Sequence, residues 1–352
     1  MPIFGKASKR TARSASAGQA GRAGQGESHG PVVDPLLGDQ VAHRFRGELA
    51  GGRWQEYHDF LEGVRDWDER NFYVAALAGC FKQNRPEWIE QWKSARPGSA
   101  LPFLFSGAHQ LDWAWDARGS GRARTVAEDA WPVFRTRLVD ADRDLAEAAG
   151  IDEQDPTPYA QSIRAALGLG LGLAERSNRF GQVARRDRWH APAHQFMIQA
   201  LARKWGGSHN TMFEFARSES AQAPDGSSVH RVVALAHLEQ WLDLPRETQD
   251  GQRPQRAYFR RHEVAAEVLR AADRSIRSPA YVPSRATPAD RNAFAMCFYQ
   301  MGEYLAQLLQ MNLIGPQVTA IPWHYLAGTP SAAYERARTA ALARITTTGI
   351  PL

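Results

Sequence analysis

The sequence predicts an all-α chain, a solenoid of helical hairpins behind a disordered N-terminal tail. Three observations carry this expectation. Apolar residues recur at helical spacing along most of the chain, strand-type alternation is absent, and several segments return in similar form. The segment from Ala50-Gly51-Gly52 to Phe60 resembles that from Trp205-Gly206-Gly207 to Phe215. Ala108 to Trp113 likewise resembles Ala236 to Trp241, and each follows a turn, at Pro97-Gly98-Ser99 and at Pro224-Asp225-Gly226-Ser227. Leu77 and Leu201, Trp88 and Met212, and Ala108 and Ala236 lie about 124, 124 and 128 residues apart, as expected of a duplicated multi-helix block.

The elements follow in order. Residues 1–32 are rich in Ser, Ala, Gly and basic side chains, and they lack the apolar surface that would offset ordering entropy, so they read as a disordered tail. Residues 33–120 form the first block. Its first helix ends after Leu49 at the glycine pair, Trp54, Tyr57, Phe60 and Val64 mark the second, and Phe72 opens the third. Pro86 suits a helix start ahead of Trp88 and Trp92, and a longer helix runs from Leu101 to Trp115. Residues 121–186 read as connecting helices. Thr125 and Glu128 have capping-box spacing, Pro132 marks a kink or restart, and Thr157-Pro158 reads as a cap followed by a first helical residue. Residues 187–245 are the second block and 246–352 the C-terminal helices. There Thr287-Pro288 and Thr329-Pro330 repeat the cap pattern, and one helix runs through Phe294, Phe298, Met301, Leu305 and Leu308-Leu309 to Gly315-Pro316. Val318 to Ile321 is the best extended piece.

Composition narrows the function. The chain has 352 residues, 43% hydrophobic and 23% charged, as in an ordinary soluble protein. No apolar run is long enough to span a bilayer, and no signal segment opens the chain. Cys80 and Cys297 sit among apolar residues, as thiols of a reduced compartment do, so a cytoplasmic location without a membrane partner is expected. The net charge is +5, but Lys6, Lys9, Arg10, Arg13 and Arg22 place most of it in the tail. Nucleic acid is therefore not expected as a partner, except through that N-terminal arm.

Lys204-Trp205-Gly206-Gly207-Ser208, with Met212, Phe215-Ala216-Arg217 and the following Ala236-His237 and Trp241, resembles the bacterial domain-of-unknown-function family four-zero-three-four. The resemblance covers roughly residues 186–245, and the first block only as a faded relative, with Ala50 where the motif has tryptophan. It implies a tetratricopeptide-like helical fold and assigns no catalytic residue.

Each chemistry-bearing residue has a packing role as its alternative. His190 and His194 have metal-ligand spacing with His209 nearby, and a metal-dependent hydrolase or transferase would draw on them with Asp187 and Glu214. Pro192 argues against it, because it places His190 ahead of the helix, and no His-Glu-x-x-His pattern is present. His109 and His237 each precede a tryptophan by four residues, which favours ring packing, or a shared groove. Gly168, Gly170 and Gly172 follow a helix rather than a strand, so no cofactor is expected. Arg256, Arg260, Arg261, Arg270, Arg274 and Arg277 alternate with acids and read as an ion-paired face. The leading expectation is a protein–protein interaction scaffold without catalytic residues or cofactors. Its contact surface would lie near Lys204, Trp205, His109 and His237.

Overall fold

A computed structural model describes residues 33–119 and 127–348, and every regular element among them is helical. The helices fall around two apolar cores. The first core gathers α1 (Gln40–Ala50), α2 (Gln55–Gly63), α3 (Trp67–Ala78), α4 (Trp88–Ala95), α5 (Leu101–Arg118) and α6 (Ala130–Ile151). The shared helix α7 (Thr157–Gly168) gives Ala165 to this core and Ala160 and Ile163 to the other. The second core continues through α8 (Leu173–Arg186), α9 (Ala191–Leu201), α10 (His209–Gln222) and α11 (Arg231–Asp243). It is completed by α12 (Pro254–Tyr258), α13 (His262–Arg274), α14 (Thr287–Met301), α15 (Tyr304–Ile314), α16 (Ala320–Trp323) and α17 (Pro330–Thr348).

Aromatic packing dominates the first core. Trp92 is fully buried, with its ring centroid 5.9 Å from Trp54 and 5.8 Å from both Tyr57 and Phe105. Such pairs add about 0.5–1.5 kcal/mol each beyond area burial. The long α5/α6 hairpin closes this core at Gly107, where an added Cβ would lie 2.7 Å from the Leu145 side chain. The two cores meet through polar contacts. Arg285 ahead of α14 pairs with Asp39 at 2.6 Å and Glu69 at 3.2 Å, and its guanidinium also donates to the Tyr73 hydroxyl. The Gln317 amide donates to the Leu37 carbonyl, and Gln161 donates to Asn71 at 2.7 Å.

Several expectations change in detail. Thr125 lies outside the described residues. Pro132 sits in the first turn of α6, which runs on through Ile151. At α7 Thr157 is the first helical residue rather than the cap, and the Asp155 carboxylate ahead of the helix accepts from its N–H at 2.7 Å, while Thr329 caps α17 through Ala332. The paired glycines do different work. In the first pair Gly52 holds the positive φ, 76°; in the second Gly206 does, at 85°. Gly207 instead packs where a Cβ would fall 1.9 Å from the Leu201 carbonyl oxygen. Gly168 permits close approach to Leu138, but Gly172 lies beyond α7 at the start of α8.

One correction matters most. The helix expected from Thr287 to Gly315 breaks at Gly302, which takes φ 86°. The Glu303 N–H reaches back to the Phe298 carbonyl at 2.9 Å, a left-handed glycine cap, and α15 turns back against α14. The break resets the helical phase, so Leu305 and Leu309 leave the core side.

Candidate functional site

The histidines settle by their hydrogen bonds. His190 is fully buried and caps α9, its Nδ1 accepting from the Ala193 N–H at 3.2 Å, as the position of Pro192 implies. Burial and the neighbouring His194 hold its pKa down to about 3, against the pull of the Trp67 backbone carbonyl. Asp68 of α3 and Asp187 at the end of α8 bring carboxylate oxygens within 4.8 Å of His190 and of each other. Asp68 Oδ1 accepts from the Ala191 N–H at 3.1 Å, and Asp187 Oδ1 from the Trp189 N–H at 3.1 Å. Burial and the Asp187 and Asp66 charges raise the Asp68 carboxyl to about 7. The arrangement has metal-ligand spacing, but its tautomer opposes coordination. An Nδ1 that accepts a hydrogen bond leaves the proton on Nε2, the nitrogen facing Asp68 at 3.8 Å. The His58, Asp59 and Glu62 group behaves alike, because His58 Nδ1 accepts from Trp92 Nε1–H at 3.2 Å.

The other expected ligands go elsewhere. Both His194 ring nitrogens face acceptors, the His190 carbonyl at 2.9 Å and Glu219 at 3.1 Å, and Arg188 also pairs with Glu219. His209 faces Asp243 at 3.3 Å, and Glu214 points to solvent. Among the described residues, His190, His194 and His209 do not converge on one cleft.

The residues of the expected contact surface lie at different depths. His109 is fully buried, its Nε2 held by the Phe81 and Asn84 carbonyls at 3.1 and 3.0 Å. His237 is 3% exposed, between the Tyr258 hydroxyl at 2.8 Å and Glu267 at 3.2 Å. Neither side chain is available to a partner. Lys204 is pinned to buried Glu239 at 2.7 Å. Burial pushes the Glu239 carboxyl up, but Lys204, Gln199 and Tyr325 together hold it below its usual range. Trp205 is half-buried, edge-on to Trp115 at 5.4 Å with Arg118 over its face.

The surface that stands out is α15, which carries apolar side chains on its outer face as well as its inner one. Gln307 and Gln310 are buried, the first donating to the Ala337 carbonyl at 2.9 Å and the second accepting from Arg291 at 2.7 Å. Leu308, Met311 and Ile314 pack inward beside them. Leu305, Leu309 and Leu313 are 48%, 56% and 54% exposed and follow one another at four-residue spacing, a single ridge along the helix. A lone exposed leucine is normal, but an aligned row of three on one helix is an apolar patch. Leu305 and Leu309 fall within the helix expected from Thr287 to Gly315, an expectation that includes no break at Gly302. The signal was present in the spacing, and Gly302 hid its phase.

No described helix is long and apolar enough to cross a membrane. Comparison with known protein families, with curated proteins and with solved structures finds no match.

Proposed function

We propose that this chain is a protein–protein interaction scaffold whose contact surface is the leucine ridge of α15. The carrying observation is that α15 leaves Leu305, Leu309 and Leu313 exposed in one row, although Leu308, Met311 and Ile314 already supply its inner face. Packing within the chain gives no reason to place three leucines in water, whereas a protein partner does. Burying one leucine is worth about 1.5–3 kcal/mol. A ridge at this spacing matches the anchors of helix-in-groove and helix-on-helix recognition.

The proposal includes a duplicated helical-repeat architecture. In its support, α3 is followed by a 3-10 turn at Gly79–Phe81 and α9 by one at Arg203–Trp205, each in the same register relative to its helix start. Both α7 and α14 open on Thr-Pro. The Lys204 to Ser208 motif is the ground for placing the chain near family four-zero-three-four and for a tetratricopeptide-like arrangement.

Capture with the full chain and with a Leu305→Asp/Leu309→Asp/Leu313→Asp variant tests the reading, with circular dichroism confirming equal helicity. The expected outcome is that proteins cross-linked to the wild type are lost from the variant. An unchanged set of captured proteins, with both chains equally folded, would remove α15 from the account.

A further inference from the structure

We infer that the partner of the α15 ridge is a second copy of this chain, held α15 against α15 about a twofold axis. This inference rests on the ridge being a contact surface and adds what occupies it. The argument is electrostatic. From Tyr304 to Ile314 the helix carries no Asp, Glu, Lys or Arg. At a twofold contact each residue near the axis faces its own copy, so a charge there would repel itself, and a charge-free helix avoids that repulsion wherever the axis falls along it. A charge-free helix offers nothing to a nucleic acid or a strongly charged peptide, which bind through cations or complementary charge. The other exposed apolar side chains of one helix, Trp131, Val133 and Val139 of α6, lack this property. They share their helix with Arg135, Arg137 and Asp140 and do not form a four-residue row.

The geometry also sets the strength. Leu305, Leu309 and Leu313 lie on an i, i+4, i+8 row, and two such rows interdigitate at a crossing angle of about −50°. An 11-residue helix is short, roughly 16 Å. One pair of such helices therefore buries less than the ~1,200 Å² at which stable interfaces begin. The dimer is accordingly weak and concentration-dependent.

Sedimentation equilibrium of the full chain, from about 1 to 500 μM, tests this. The expected result is a weight-average mass rising from monomer towards dimer across that range. Leu309→Asp should weaken association at least about tenfold, the factor that one buried leucine supplies. Leu308→Met, inside the same helix, should leave it unchanged. A wild type that stays monomeric throughout would overturn the inference, as would a dimer indifferent to Leu309→Asp. A chain that dimerises only after residues 1–32 are deleted would also overturn it, because the tail would then be the occupant. A monomeric wild type that still loses captured proteins on substitution of the ridge would leave the scaffold reading standing while this inference fails.

Discussion

Helices α8 and α15 hold similar places, each following a helix that opens on Thr-Pro and a glycine with positive φ, Gly170 or Gly302. Their surfaces are opposites. α8 spends its polar groups within the molecule. Arg176, 5% exposed, donates to the Ala200 carbonyl at 2.7 Å and the Trp205 carbonyl at 3.0 Å, and Arg179 pairs with Asp142 and Glu175. What α8 leaves outside is small or polar, such as Ala174, Ser177 and Asn178. α15 buries Leu308, Met311 and Ile314 beside its two glutamines and still leaves three leucines outside. The contrast shows that this fold can close a helix pair with a polar exterior, so the α15 leucines are not a requirement of the architecture.

The largest effect that sharpens the comparison lies between adjacent leucines. Leu308→Ala should cost about 2–5 kcal/mol, because it removes a buried side chain and leaves a cavity. Arg176→Ala should follow at about 3 kcal/mol, since it strands two buried carbonyls that a charged donor now satisfies. Both are read by urea denaturation monitored by circular dichroism. If Leu308→Ala were as mild as a surface change, the assignment of the inner and outer faces of α15 would be wrong.

The end of α8 supplies a pH-dependent test. The Asp68 carboxyl, beside Asp187, is raised from 3.8 to about 7 in the folded chain. A carboxyl raised on folding favours its protonated form there. Stability from this group is therefore fully present below about pH 4 and is lost as pH rises through about 7. Asp68→Asn keeps an acceptor for the Ala191 N–H and removes the charge. It should match the wild type near pH 4 and be more stable by roughly 4 kcal/mol near pH 8. A variant destabilised equally at both pH values would show that the carboxylate is needed ionised. The smallest effects belong to the ridge: Leu305→Ala and Leu309→Ala should each change the stability of the dilute chain by no more than about 0.5 kcal/mol.

Much of the helical fold was legible, because apolar spacing, glycine stops and proline starts are local signals. The α1 stop at Gly51-Gly52 and the place of His190 ahead of α9 follow directly from such signals. Contacts distant in sequence were not legible. Nothing local marks Asp68 as the acceptor for Ala191, or Arg285 as the clamp on Asp39 and Glu69. The recurrence of His109 and His237 favours a packing role over a shared groove, and His109 does lie against Trp113 at 5.7 Å, but recurrence alone does not register depth. In the structure one is held by backbone carbonyls and the other by Tyr258 and Glu267, both out of reach of solvent. Leu305 and Leu309 were legible only as members of one continuous helix, because a single left-handed residue at Gly302 decides where that helix breaks and which way its leucines face.

The most direct test of self-association through the ridge is amide hydrogen exchange of the full chain, compared between dilute and concentrated solution. The account predicts that protection rises with concentration in residues 304–314, while the α8 segment, 173–186, stays unchanged. Equal protection of 304–314 at both concentrations would contradict it.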